Sequence, residues 1–128
     1  MQRLKNYELI LDIELIEEFH FKSQLDIEYL SKDKERFMLS FEDVWDMRYS
    51  IEEASIERFF QFRKCLPKGI VENGIYLVED SDYIKYFEEQ VSGTRPIEEL
   101  KHYIVQDPYE TLIDVLTEEK PKLVKISD

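Results

Sequence analysis

Two stretches of this chain alternate apolar and polar residues with a period of two. Phe19, Phe21, Ser23, Leu25, Ile27 and Tyr29 share one parity in the first, and Phe37, Leu39, Phe41, Asp43, Trp45 and Met47 share it in the second. Between them stand His20, Lys22, Gln24, Asp26 and Glu28, then Glu42, Asp46 and Arg48. A strand points successive side chains to opposite faces, so this pattern describes sheet with one dry face and one wet face.

With the polar stretch Ser31-Lys32-Asp33-Lys34-Glu35 as a hairpin loop, position 30 lies opposite 36 and the register follows. Tyr29 then faces Phe37, Ile27 faces Leu39, Leu25 faces Phe41, Phe21 faces Trp45 and Phe19 faces Met47. Each such pair contributes about 0.2–1 kcal/mol, so slippage of the whole set is costly. One pair offends, Ser23 opposite Asp43. A carboxylate on the dry face needs a partner or an exit, which predicts a Ser–Asp hydrogen bond or a bulge near Asp43.

Length and charge restrict the function classes. A chain of 128 residues supports one core, so a single domain over residues 1–128 is expected. Its 29 acidic and 17 basic side chains give a formal charge of −12, which repels nucleic acid and anionic membrane and attracts cationic partners. The opening Met1-Gln2-Arg3-Leu4-Lys5 has no apolar core of a signal peptide, and Cys65 has no second cysteine to pair with. A cytoplasmic location is the expectation, with Cys65 a small buried residue at a helix end.

Elsewhere the elements are read from periodicity and punctuation. Tyr7 to Leu15 reads as a first strand, although Ile10 and Ile16 blur the alternation and leave a helix open. Ser50-Ile51-Glu52-Glu53 is a capping-box sequence before Ile51, Ala54, Phe59, Phe62 and Leu66 at helical spacing. The alternation Ala54, Ile56, Arg58, Phe60, Phe62 offers a strand there instead, and the choice over residues 51–64 stays open. Gly74-Ile75-Tyr76-Leu77-Val78 reads as a buried strand, and Asp80 or Ser81 caps a helix with Tyr83, Ile84, Phe87 and Val91 on its apolar stripe. The remainder is a meander: Leu100 to Gln106, Thr111 to Thr117 and Lys122 to Ser127. These elements predict an α+β fold, a mainly antiparallel sheet with about two helices packed on one face.

Candidate chemistry is sparse. The inferred register places His20 opposite Asp46 with Arg48 beside them, a pairing that suits either a general acid–base site or a plain surface ion pair. No nucleophile elbow, GxGxxG or P-loop is present, and two histidines without HxH, CxxC or HExxH give no zinc signature. Glu79-Asp80-Ser81-Asp82 resembles the start of a calcium loop, but Lys85 stands where such a loop needs glycine. Neither a metal nor another cofactor is expected, and no catalytic residue is assigned. His102 reads as structural, since spacing fixes no carboxylate beside it. A pocket around Trp45, Tyr49 and His102 is the alternative for a ligand-binding or enzymatic domain, and an accessory subunit of a complex is another.

The wet face carries the remaining signal. Asp12, Glu14, Asp26, Glu28, Glu42 and Asp46 fall on one outward surface if the first strand joins the hairpin, which makes them candidates for binding a basic protein. The chain resembles the small acidic immunity proteins with which bacteria neutralise toxins, and related uncharacterised cytoplasmic proteins. Val44-Trp45-Asp46-Met47-Arg48-Tyr49-Ser50-Ile51-Glu52 and Gly74-Ile75-Tyr76-Leu77-Val78-Glu79-Asp80 carry that resemblance, with the overall size, charge and element order. It implies a non-enzymatic inhibitor whose partner is a basic toxin, often a nuclease with a basic cleft. No oligomeric state follows from any of this.

Overall fold

The computed structural model describes residues 2–51, 74–91, 97–108 and 111–126. Nine strands and one helix occur among them: β1 (Arg3–Asn6), β2 (Ile13–Phe21), β3 (Leu25–Ser31), β4 (Arg36–Phe41), β5 (Val44–Ile51), β6 (Ile75–Glu79), α1 (Asp82–Val91), β7 (Lys101–Gln106), β8 (Thr111–Thr117) and β9 (Lys122–Lys125). The strands form two antiparallel sheets, one ordered β1-β6-β7-β8-β5 and the other β2-β3-β4-β9. Their inner faces meet in one apolar core. Leu25, Ile27, Tyr29, Leu39 and Phe41 from the four-stranded sheet pack with Ile75, Tyr103, Val105, Ile113 and Val115 from the five-stranded sheet. The Tyr103 ring sits between Tyr7, edge-on at 5.3 Å, and Phe41 at 5.2 Å.

The hairpin register holds where the turn sets it: Leu30 pairs with Arg36, Tyr29 with Phe37, Ile27 with Leu39 and Leu25 with Phe41. It ends there. Beyond Leu25 the chain is the far arm of a tight hairpin, so Phe21 faces Leu25 and Phe19 faces Ile27. Beyond Phe41 the chain leaves the sheet, and β5 joins the other sheet as the neighbour of β8. The expected Phe21–Trp45 and Phe19–Met47 pairs therefore do not form. The offending Ser23/Asp43 step is the crossing point. Asp43 adopts φ +49, and the Val44 N–H donates to the Ser23 carbonyl at 2.9 Å. The buried Thr117 hydroxyl donates to the Glu42 carbonyl at 2.9 Å and fastens the crossover to the five-stranded sheet.

The fold class is corrected from α+β with two helices to nearly all-β, since 58% of the described residues are strand and 10% helix. A single helix, α1, is found among them. Most of the other expected helix lies outside the described residues, but its supposed cap does not: Ser50 and Ile51 end β5, paired with Leu112 and Thr111. A capping-box sequence satisfies helix N–H groups only when the preceding backbone is free to stop, and here β8 holds it extended. Cys65 also lies outside the described residues.

The remaining elements fall near their expected places with two changes of partner. The predicted first strand is displaced: β1 precedes Tyr7, residues 7–12 cross between sheets, and β2 starts at Ile13 after Asp12 at φ +52. β9 does not extend the meander beside β8 but crosses to pair with β4. Gly74 opens β6 at φ +88, where a Cβ would stand 2.9 Å from the Ile13 side chain, so the approach of β6 to β2 requires glycine.

The five-stranded sheet is covered on its outer face too. Leu4, Tyr76, Val78, Ile104 and Leu112 form one buried cluster there, and Tyr83 from α1 packs with Leu100 and Leu116 in another. The four-stranded sheet keeps its outer face wet.

Candidate functional site

Three rows of side chains cross the outer face of the four-stranded sheet. Leu15, Leu30 and Arg36 make the first, Glu18, Glu28, Met38 and Val124 the second, and His20, Asp26, Ser40 and Lys122 the third. Two register shifts in β2, between Ile13 and Leu15 and between Ile16 and Glu18, bring this set outward. Each bulge inserts one residue, so Leu15 and Glu18 share a face despite opposite parity. Leu15 is 40% exposed and Val124 60%. The face thus mixes aliphatic groups with the carboxylates Glu18, Asp26 and Glu28 and the cations Arg36 and Lys122.

At its middle Glu18 and Glu28 stand directly opposite each other across the β2–β3 ladder. Like charges so placed repel. The Glu28 carboxyl is held above the ordinary carboxylate range, first by its hydrogen bond with Glu18 and then by desolvation and the Glu18 charge. His20 lies 3.8 Å from Glu18 and faces Asp26 in register. Asp26 Oδ1 accepts from the Ser40 hydroxyl at 2.6 Å and from the Gln24 amide at 2.8 Å.

The six acidic residues expected on one surface separate into three settings. Asp26 and Glu28 lie on the wet face as predicted. Asp12, Glu14 and Glu42 do not: Asp12 is at the crossing bend beside Lys32 at 3.7 Å, Glu14 at the first bulge beside Lys34 at 3.9 Å, and Glu42 in the β4–β5 turn with Lys122 at 2.9 Å. Each has a lysine from a neighbouring turn or strand. Asp46 belongs to the other sheet, opposite Leu116 after the β5 bulge, so it cannot join His20. Glu18 is the residue that the sequence reading missed. Its parity does disclose it: the two bulges cancel between Ile13 and Glu18, so Glu18 keeps the even, wet parity of His20.

A second polar group lies under α1. His102 Nε2 is 2.7 Å from Asp114 Oδ1, and His102 Nδ1 is 2.7 Å from Ser81 Oγ. All three residues are buried. The connectivity is that of a serine–histidine–carboxylate relay, but the serine is already in use. Ser81 is the N-cap of α1, and its Oγ accepts the Ile84 N–H at 3.1 Å. A nucleophile needs an approach to the reacting atom, which this burial denies. The group instead clamps the start of α1 to β7 and β8. Tyr83 sits edge-on to His102 at 5.3 Å, and the Arg48 guanidinium lies 3.7 Å over the Tyr83 ring.

His102 thus has beside it a carboxylate, Asp114, that spacing alone does not disclose. The hairpin register supplies the missing signal: Gln106 pairs with Leu112, so even-numbered residues of both strands share a face. Of Trp45, Tyr49 and His102, the first and last lie on the α1 side with Tyr83, and Tyr49 lies on the other face. Trp45 packs towards Phe87 on the α1 side, while Tyr49 meets Phe19 at the edge of the inner core.

Among the described residues no group of histidine, cysteine and carboxylate side chains is arranged to hold a metal, and no helix is long and apolar enough to cross a membrane. No family model matches this chain, and neither a curated protein nor a solved structure matches it.

Proposed function

We propose that this protein is a non-enzymatic binding domain that docks a basic protein on the outer face of its four-stranded sheet. The observation that carries the reading is the Glu18–Glu28 pair, two carboxylates held opposite each other on an exposed face. In the free protein like charges so placed repel. A partner ammonium or guanidinium between them removes the repulsion and adds charge-assisted hydrogen bonds. Leu15, Leu30, Met38 and Val124 surround the pair with aliphatic surface, which gives a docked partner apolar area to bury. The net charge of −12 accelerates the encounter.

An immunity-type inhibitor of a basic toxin is the concrete form of this reading that the resemblance implies. Its test is capture from native lysate on the immobilised protein at low and high salt. Recovery of one basic protein that elutes as salt rises supports the proposal. Retention of no basic protein at low salt contradicts it.

A further inference from the structure

The wet face carries a titrating ring beside its opposed carboxylates. His20 follows Glu18 by two residues on β2, so both point outward, and its Nε2 lies 3.8 Å from Glu18 Oε1. In register it faces Asp26 on β3, two residues from Glu28. The other charged groups around this cluster are engaged elsewhere. Glu17 accepts from Arg36 Nε at 3.1 Å, and the Lys122 ammonium donates to Glu42 at 2.9 Å. Asp26 accepts from the Ser40 hydroxyl at 2.6 Å and the Gln24 amide at 2.8 Å. From β4, the uncharged Met38 and Ser40 face Glu28 and Asp26.

We propose that protons gate this face, an inference that rests on the docking reading above: acidification closes it to a cationic partner, and a docked partner expels protons from it. Two groups take the proton. An imidazolium at His20 brings positive charge to the Glu18 carboxylate that the partner's cation would meet, and histidine is the side chain that changes charge between about pH 5 and pH 8. A proton on Glu28 relieves the repulsion with Glu18 and leaves one carboxylate where the partner meets two. Glu28 is held above the ordinary carboxylate range, first by its hydrogen bond with Glu18. The His20 charge acts on Glu28 in the opposite sense, so the two protons are partly alternative. Either one makes the cluster less negative. Affinity for a cation therefore rises with pH, and by reciprocity a bound cation lowers the tendency of His20 to charge, by drawing Glu18 away from it.

The probe is a blocked hexalysine peptide, whose own charge is constant over this range, titrated at one ionic strength into isotope-labelled protein between about pH 5 and pH 8. Backbone amide shifts locate the peptide, and the His20 ring resonance reports its protonation. Shifts centred on Glu18, His20 and Glu28 are expected, with an affinity that rises about three- to tenfold across the range, the scale of one or two exposed charge pairs. Saturating peptide should move the His20 titration to lower pH. His20→Gln and Glu28→Gln should each flatten the rise, and the double variant should abolish it. A flat profile in the parent, a rise that the double variant keeps, or a His20 titration unmoved by the peptide overturns the gate, while shifts centred on Glu18 and Glu28 still support the docking face. Shifts centred away from these residues overturn the docking face and the gate together.

Discussion

The two sheets carry similar apolar inner faces and opposite outer ones. Outward positions of the five-stranded sheet, such as Leu112, Asp114 and Leu116, are fully buried, whereas Leu15, Glu18 and Val124 on the four-stranded sheet are exposed. The comparison teaches that a polar residue means different things on each. Asp114 is buried and must be bonded, so it binds α1 to the sheet through His102. Glu28 is partly exposed on the wet face, so its unfavourable placement opposite Glu18 is accessible to a partner.

Paired substitutions sharpen that contrast. The largest difference is expected between Leu116→Ala and Leu15→Ala: loss of the buried leucine should cost about 2–5 kcal/mol and loss of the exposed one about 0.5 kcal/mol, by denaturant unfolding. Similar costs would mean that the outer faces are not distinct. Next come the two aspartates. Asp114→Ala strips His102 of a buried partner and should cost about 3 kcal/mol, with Asp114→Asn recovering part of it, while Asp26→Ala should cost under about 1 kcal/mol. Ser81→Ala removes the cap of α1 and should cost about 1 kcal/mol, with the loss of amide protection concentrated in α1.

The smallest effect is a difference in pH response. Glu28 binds its proton more tightly folded than unfolded, so its contribution to stability is full below the ordinary carboxylate range and is lost as pH rises through its raised value. Asp80 is the reverse. The Lys85 ammonium beside it, first of all, lowers its pKa to about 2, so its contribution is present above the ordinary value and is lost as pH falls towards 2. Stability curves of Glu28→Gln and Asp80→Asn should depart from the parent in opposite senses, and departures of the same sign would contradict the assignment.

The sheets also differ in how far the sequence disclosed them. Tyr29 to Leu25 against Phe37 to Phe41 was legible in register because one short polar loop joins two clean alternations. The break after it was not, because Phe21 and Trp45 keep the parity of the strands they leave. Alternation records which face is dry and not which strand lies alongside. In β2 the first bulge shifts the parity, so Leu15 turns to the wet face although it stands two residues from the inward Ile13, and the second restores it, so Glu18 keeps the wet parity of His20. Of the expected binding residues, Asp26 and Glu28 were legible from strand parity alone. The lysines beside Asp12, Glu14 and Glu42 come from turns and strand pairings that periodicity does not encode. In β8 the run Leu112-Ile113-Asp114-Val115-Leu116 is buried on both faces and has no alternation to read, which is why Asp114 gave no sign of its partner.

The most direct test of the docking face is a matched charge reversal. Glu28→Lys on the wet face and Glu89→Lys on α1 change the net charge equally, with Glu28 partly exposed and Glu89 exposed. Affinity for the basic protein retained from lysate is then measured for each at one salt concentration. A fall of about tenfold or more is expected for Glu28→Lys and a small change for Glu89→Lys. Equal losses would mean that net charge alone governs binding, and a larger loss for Glu89→Lys would place the interface on α1.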